Sequence, residues 1–127
     1  KSSFFNFIAL TDDTKTVEKK IARAVTDSGR DVISGPDKPA LTNLLTIYSL
    51  LTNQTVAVAE KEFVGKGYAD FKKALAREIN NFLQPIQKKI SAMDDKTVLK
   101  ILFDGQTRVK KLAEKKMKEV KEKVGLI

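Results

Sequence analysis

The sequence predicts an all-α fold, a helical bundle of about five helices. Three observations lead there. Apolar residues recur three and four positions apart through most of the chain, and residues suited to capping or breaking helices stand between those stretches. No stretch shows the two-residue alternation of a half-buried strand, and there is no repeat of fixed period or low-complexity segment. With 127 residues, 42% of them apolar and 31% charged, the chain can enclose a modest core without disulfide or metal staples, and one domain is expected.

In chain order, Asp12 and Asp13 can cap a first helix in which Val17, Ile21, Ala24 and Val25 share one side, leaving Lys15, Lys19, Lys20 and Arg23 to face away. From Thr26 to Pro39 the chain holds Gly29, Gly35, Pro36 and Pro39 among polar residues and reads as the one long connection, not a packed element. Leu41, Leu44, Leu45, Tyr48 and Leu51, with Ile47 and Leu50 beside them, give a helix apolar over most of its circumference, which predicts a central position. Asn53 suits its left-handed stop, and Thr55 can open a short helix to about Phe63, before a turn at Gly65-Lys66-Gly67.

The longest stripe runs from Tyr68 through Phe71, Leu75, Ile79, Phe82, Leu83, Ile86 and Ile90 to Met93. Pro85 lies inside it and lacks the amide that would bond the Asn81 carbonyl, so a kink near Pro85 is expected. Asp94 or Asp95 caps the next helix, which carries Val98, Leu99, Leu102 and Phe103 to a pause at Gly105. The final helix then starts near Gln106, with Val109, Leu112, Ala113, Met117, Val120 and Val124 as its buried face and Gly125 at its end.

Charge narrows the partners. Lys and Arg number 24 against 16 Asp and Glu, a formal +8, and residues 106–127 hold eight Lys/Arg against three Glu, a net +5. A basic surface favours anionic partners, nucleic acid and anionic membrane first among them. The absence of Cys and His excludes a disulfide frame, a thiol nucleophile, a Ser-His relay and the usual soft-ligand zinc sites. No catalytic residue and no metal ligand set is assigned. Absence of Cys fits a reducing cytoplasm, no apolar run approaches the length that spans a bilayer, and the first residue, Lys1, suggests a piece of something longer.

Arg108, Lys111, Lys115 and Lys118 are spaced three, four and three apart, which aligns them in one row opposite the apolar stripe. Such a row can bind phosphates through charge and reach alone. It is also what a solvated helix face looks like, with Glu114 to Lys118 and Glu119 to Lys123 as supporting pairs, and on the residues alone the solvated face is the stronger reading. Gly65-Lys66-Gly67 lacks the strand and spacing of a phosphate loop and reads as a turn. Tyr68, Phe71 and Phe82 could stack on bases, but their helical spacing with Leu75 and Ile79 favours core packing, and a buried Tyr48 would need a partner for its hydroxyl.

The run Thr11-Asp12-Asp13-Thr14-Lys15-Thr16-Val17-Glu18-Lys19-Lys20-Ile21, followed by Ala24-Val25-Thr26-Asp27-Ser28, resembles bacterial tryptophanyl-tRNA synthetases just beyond their second ATP signature. The resemblance continues through Asn43-Leu44-Leu45-Thr46-Ile47-Tyr48, Gly65-Lys66-Gly67-Tyr68-Ala69-Asp70-Phe71-Lys72, Leu83-Gln84-Pro85-Ile86-Gln87 and Val124-Gly125-Leu126, in order and in spacing. It departs at Ser3-Phe4-Phe5-Asn6-Phe7, where the family is polar, at Ala57-Val58-Ala59, where acidic residues usually complete a capping box, and at Gln106-Thr107.

The resemblance implies that residues 1–10 lead out of a catalytic Rossmann domain and that residues 11–127 form a helical domain meeting the tRNA anticodon. It implies tRNA(Trp) as partner, the catalytic domain of the same chain as neighbour, a cytoplasmic homodimer and no membrane. Lys1 and Ser2 resemble the end of the Lys-Met-Ser-Lys-Ser loop, whose lysine steadies ATP phosphates in the family. ATP and Mg would serve the parent enzyme and no cofactor this fragment, which should not activate tryptophan unaided. Arg108, Lys111, Lys115 and Lys118 are then the candidates for tRNA phosphate contact. The rivals are a free-standing basic helical module for nucleic acid and a structural bundle whose basic face meets membrane or protein.

Overall fold

The computed structural model describes residues 3–27 and 29–126. Among them the α-helices are α1 Thr14–Arg23, α2 Pro39–Thr52, α3 Val56–Glu62, α4 Tyr68–Ser91 and α5 Asp95–Lys123, preceded by a 3-10 turn at Phe4–Asn6. No strand occurs among the described residues, as the all-α expectation requires. The chain divides between Lys88 and Lys89 into two compact units, with α4 running across the division.

In the first unit the starts of α1, α2 and α3 each have a side-chain or proline explanation. Asp13 caps α1 by accepting from the Thr16 amide at 2.7 Å, and Pro39 enters α2 in the first turn, where a missing N–H costs nothing. Thr55 caps α3 by accepting from the Val58 amide at 3.3 Å, without the reciprocal acidic partner of a full capping box. Asn53 ends α2 at φ 54° and ψ 45°, the left-handed stop expected of it. At the end of α1 the Lys72 ammonium donates to the Ala24 carbonyl at 2.6 Å and the Ala22 carbonyl at 3.4 Å, satisfying groups the helix leaves open.

The core is made by Val17 and Ile21 of α1, Leu41, Leu44, Leu45 and Tyr48 of α2, Ala59 and Phe63, and Phe71, Leu75, Ala76, Ile79 and Leu83 of α4. Tyr48, Phe63 and Phe71 meet edge to face with centroids 5.1 to 5.9 Å apart, each such pair adding about 1 kcal/mol beyond burial. The buried Tyr48 hydroxyl finds the partner it needs in Glu62, at 3.0 Å. Burial raises the Tyr48 pKa, with help from Glu62, to about 12.

Several expectations are corrected. Lys20 does not face solvent: it is 2% exposed and belongs to the inner side of α1. Val25 lies past the last turn of α1 and is exposed, as are Leu50 and Phe82, because each falls at the edge of its helix's apolar arc or beyond it. Between Thr26 and Lys38 the described residues form no regular element, yet they are packed: Val32 is buried in the core, and the Ser34 amide donates to Glu60 at 2.6 Å. Pro85, by contrast, sits within α4 without ending it, in line with the expectation that it does not break the helix.

In the second unit, Asp94 caps α5 by accepting from the Thr97 amide at 2.8 Å. The expected pause at Gly105 is absent, and α5 is one helix of 29 residues. A glycine inside a helix costs about 1 kcal/mol relative to alanine, too little to break a long run of good helix formers on both sides. Nor is the apolar face of α5 buried: no residue of this helix is, and Leu112 is 70% exposed. The spacing of apolar residues reports which side chains share a face, not whether anything covers it.

Candidate nucleic-acid interface

The Asp94 cap and the unbroken run through Gly105 put all four basic candidates on one helix. At 100° per residue Arg108, Lys111, Lys115 and Lys118 fall within an arc of about 80° and extend roughly 15 Å along the axis. All four are exposed. Their neighbours divide into two kinds. Lys110 reaches Glu114 at 3.8 Å, Lys116 reaches Glu119 at 3.0 Å and Lys118 reaches Glu122 at 3.9 Å, so two of the three acidic residues are held by lysines outside the row. The expected pairs from Glu114 to Lys118 and from Glu119 to Lys123 are replaced by these.

Within the row, the Arg108 Nε donates to the Asp104 carbonyl at 3.4 Å, and the Lys118 pair sits at the outer limit of an ion pair between exposed groups. Lys111 and Lys115 make no ion pair among the described residues. The centre of the row is two lysines with unspent charge and long flexible stems, an arrangement that can meet successive phosphates but cannot read a base. Lys1 and Ser2 lie outside the described residues.

Other polar clusters escaped the sequence reading. Lys20 donates to the Asp12 carboxylate at 2.6 Å, with the Phe4 and Phe7 ring centroids 4.0 and 4.6 Å from its ammonium. The signal was available, since residue 20 lies three after Val17 and four before Ala24, on the face that the apolar residues define. The Asp27 carboxylate accepts from the Tyr68 hydroxyl and from the Gly29 amide at 3.0 Å, with the Lys38 ammonium 3.5 Å away. The bond from Tyr68 lowers the Asp27 pKa, and burial together with that bond raises the Tyr68 pKa. Desolvation works against the charge on Lys38, but Asp27 and Tyr68 together outweigh it and the Lys38 pKa is raised.

No group of three or more His, Cys, Asp or Glu side chains able to hold a metal occurs among the described residues. No described helix is long and apolar enough to cross a membrane.

A basic all-α chain with an exposed cationic helix is one of many nucleic-acid-binding designs, and comparison with known proteins narrows it. The family of class I tRNA synthetases (W and Y) matches residues 1–84, two thirds of the chain, and the chain belongs to that family. Relatives at about 40% identity include tryptophan–tRNA ligases. The chain is 42% identical over 123 residues to that of Caldanaerobacter subterraneus subsp. tengcongensis, spanning 96% of this chain and 38% of the relative. It is 41% identical over 122 residues to that of Bacillus subtilis, spanning 94% and 37%. Among solved structures, tryptophanyl-tRNA synthetase from Mycoplasma pneumoniae matches with a TM-score of 0.75 at 28% identity, covering all of this chain and 40% of that one. The chain thus spans little more than a third of the length of these relatives.

Proposed function

We propose that this chain is the C-terminal helical portion of a tryptophan–tRNA ligase and that it binds tRNA(Trp) at the anticodon end. The observation that carries the reading is the pair Lys111 and Lys115, exposed side by side on α5 and free of ion pairs among the described residues, in a chain about 40% identical to tryptophan–tRNA ligases. Arg108 and Lys118 extend the row at either end. Phosphate contacts from these four set the register of the tRNA, while recognition of bases falls to other side chains.

Activation of tryptophan belongs to the part of the relatives that this chain does not span, and ATP, Mg and the catalytic Rossmann domain act there. The piece alone is not competent to form the aminoacyl ester. In the parent it stays attached to that domain, works as a cytoplasmic homodimer and presents its row to tRNA. Lys1 and Ser2, by resemblance, close the loop that steadies the ATP phosphates.

The test is tRNA binding by the 127-residue chain across a salt series. Neutralising several phosphates makes affinity fall steeply between low and moderate salt, and Lys111→Glu with Lys115→Glu flattens that fall while leaving helix content by circular dichroism unchanged. An affinity indifferent to salt, or indifferent to the double reversal, contradicts the row. Anionic vesicles run in parallel separate tRNA binding from a basic face that meets lipid.

A further inference from the structure

We propose that the groove between α1 and α4 accepts an unstacked nucleobase of single-stranded RNA and that Lys73 holds the phosphate beside it. The inference rests on the tRNA-binding reading above and names a second contact with the same partner.

The groove has a volume of about 450 Å³, within the range of small-molecule sites, and lies wholly in the first unit. Ala22 of α1 and Ala69 and Ala76 of α4 line it. Methyl groups on both helices leave a slot that larger side chains would fill. Tyr68 forms part of the wall, and its ring is fixed in place because its hydroxyl donates to Asp27. A pre-positioned aromatic edge costs no ordering when a ligand arrives. Lys72 contributes its stem alone, since its ammonium is committed to the carbonyls that end α1.

That leaves Glu18 and Lys73 as the charged groups with unspent capacity. Both line the groove, both are exposed, and neither makes an ion pair among the described residues, with the other or with anything else. Opposite charges that share an apolar slot without pairing describe a ligand with three features: a flat apolar body, an N–H edge for Glu18 to accept from and an anionic group for Lys73. A nucleotide has all three. Its base lies against the alanines, its amino or imino edge donates to the carboxylate, and its phosphate meets the ammonium. A simple anion would be repelled by Glu18, and a simple cation by Lys73. Only an unstacked base can enter a slot between helices, which selects single-stranded loops over duplex.

The probe is an RNA hairpin carrying the anticodon arm of tRNA(Trp), compared with the same hairpin made abasic through its loop, each titrated with the 127-residue chain by fluorescence anisotropy. The wild-type chain is expected to bind the intact loop about tenfold more tightly than the abasic loop. Ala69→Leu, at an exposed helical position, removes that preference and leaves abasic affinity where it was. Glu18→Gln reduces the preference without changing the salt slope, whereas Lys73→Gln lowers the slope by about one phosphate for the intact loop. Equal binding of intact and abasic loops by the wild-type chain overturns the groove. So does an unchanged preference in Ala69→Leu and Glu18→Gln when Lys111→Glu with Lys115→Glu still weakens both hairpins, a result that leaves the phosphate row standing. Absence of salt-dependent binding by the wild-type chain overturns the tRNA-binding reading and the groove with it.

Discussion

The Lys20 ammonium donates to the Asp12 carboxylate at 2.6 Å from a position almost closed to solvent, with side-chain exposures of 1% and 10% for the two residues. Asp12 also accepts from the Ala9 amide at 2.8 Å, and Gln87 of α4 donates to the carbonyls of Leu10 and Asp12 at 3.0 and 2.8 Å. The segment ahead of α1 is therefore fastened from two helices. Asp12 joins the two by bonding backbone on one side and a buried cation on the other.

Removing one member of this pair should cost much more than removing the charge from the other. Asp12→Ala leaves a buried ammonium without its counter-charge and is expected to destabilise the chain by about 3 kcal/mol or more. Lys20→Met keeps the stem volume and removes the more deeply buried charge, leaving an Asp12 carboxylate that is 10% exposed and still accepts from the Ala9 amide, and is expected to cost less, about 1 to 2 kcal/mol. Urea denaturation of the two variants gives the comparison. Equal losses would mean that the ion pair, which both variants lose, outweighs the Asp12 contact to backbone.

Tyr48 makes stability sensitive to alkaline pH. Its folded pKa, raised to about 12 from an ordinary value of 10.0, means that the unfolded chain loses this proton first. The stabilisation is complete below pH 10 and is lost as pH rises toward 12, on the order of 2 kcal/mol across the window. Tyr48→Phe should flatten unfolding free energy over that window, and tyrosinate absorbance in the wild-type protein should develop late. A titration near pH 10 by both tyrosines would contradict the burial and the Glu62 bond.

The two units should answer differently to the same kind of truncation. Leu75 is fully buried in α4, and Leu75→Ala is expected to cost about 2 to 5 kcal/mol. Leu112 on α5 is exposed, and Leu112→Ala should change stability by less than about 0.5 kcal/mol. Thermal denaturation monitored by circular dichroism checks both. A large loss at Leu112 would mean that the α5 face is covered in solution.

That contrast also marks the limit of what the sequence discloses. The caps at Asp13, Thr55 and Asp94 were legible because each is a local exchange between a side chain and backbone a few residues away, and the left-handed stop at Asn53 because it depends on the backbone preference of that one residue. The core positions in α2 and α4 were legible because three-and-four spacing coincides with burial when neighbours exist on that side. The same spacing on α5 gave the right face and the wrong burial. Lys20 was misplaced for a related reason: charge argued for solvent, and only the carboxylate of Asp12, eight residues earlier, makes its inner position tolerable. Arg108, Lys111, Lys115 and Lys118 were legible as a row, but which of them carry free charge depends on which lysines the glutamates choose. Glu18 and Lys73 could not be connected at all, because the groove they share exists only once α1 and α4 pack.

The bond from Tyr68 to Asp27 ties the connection between α1 and α2 to the start of α4, across 41 positions of sequence. Because that bond lowers the Asp27 pKa, Asp27 contributes stability that is present above the unfolded carboxylate pKa and is lost as pH falls through the lower folded value. Tyr68→Phe removes the donor and leaves the carboxylate with the Gly29 amide and Lys38. Its Asp27 carboxyl should titrate closer to the ordinary value of 3.8, and the stability it adds should shrink at neutral pH and give way to acid over a narrower range. Amide exchange should rise between residues 26 and 38, whereas amides within α2 keep their protection through their own helical bonds. Carboxyl chemical shifts followed by NMR through the acid range, with exchange measured on the same samples, distinguish this from a general loss of stability. Protection lost equally in α2 and in the connection would show that Tyr68 supports the whole unit through its ring and not the connection through its hydroxyl.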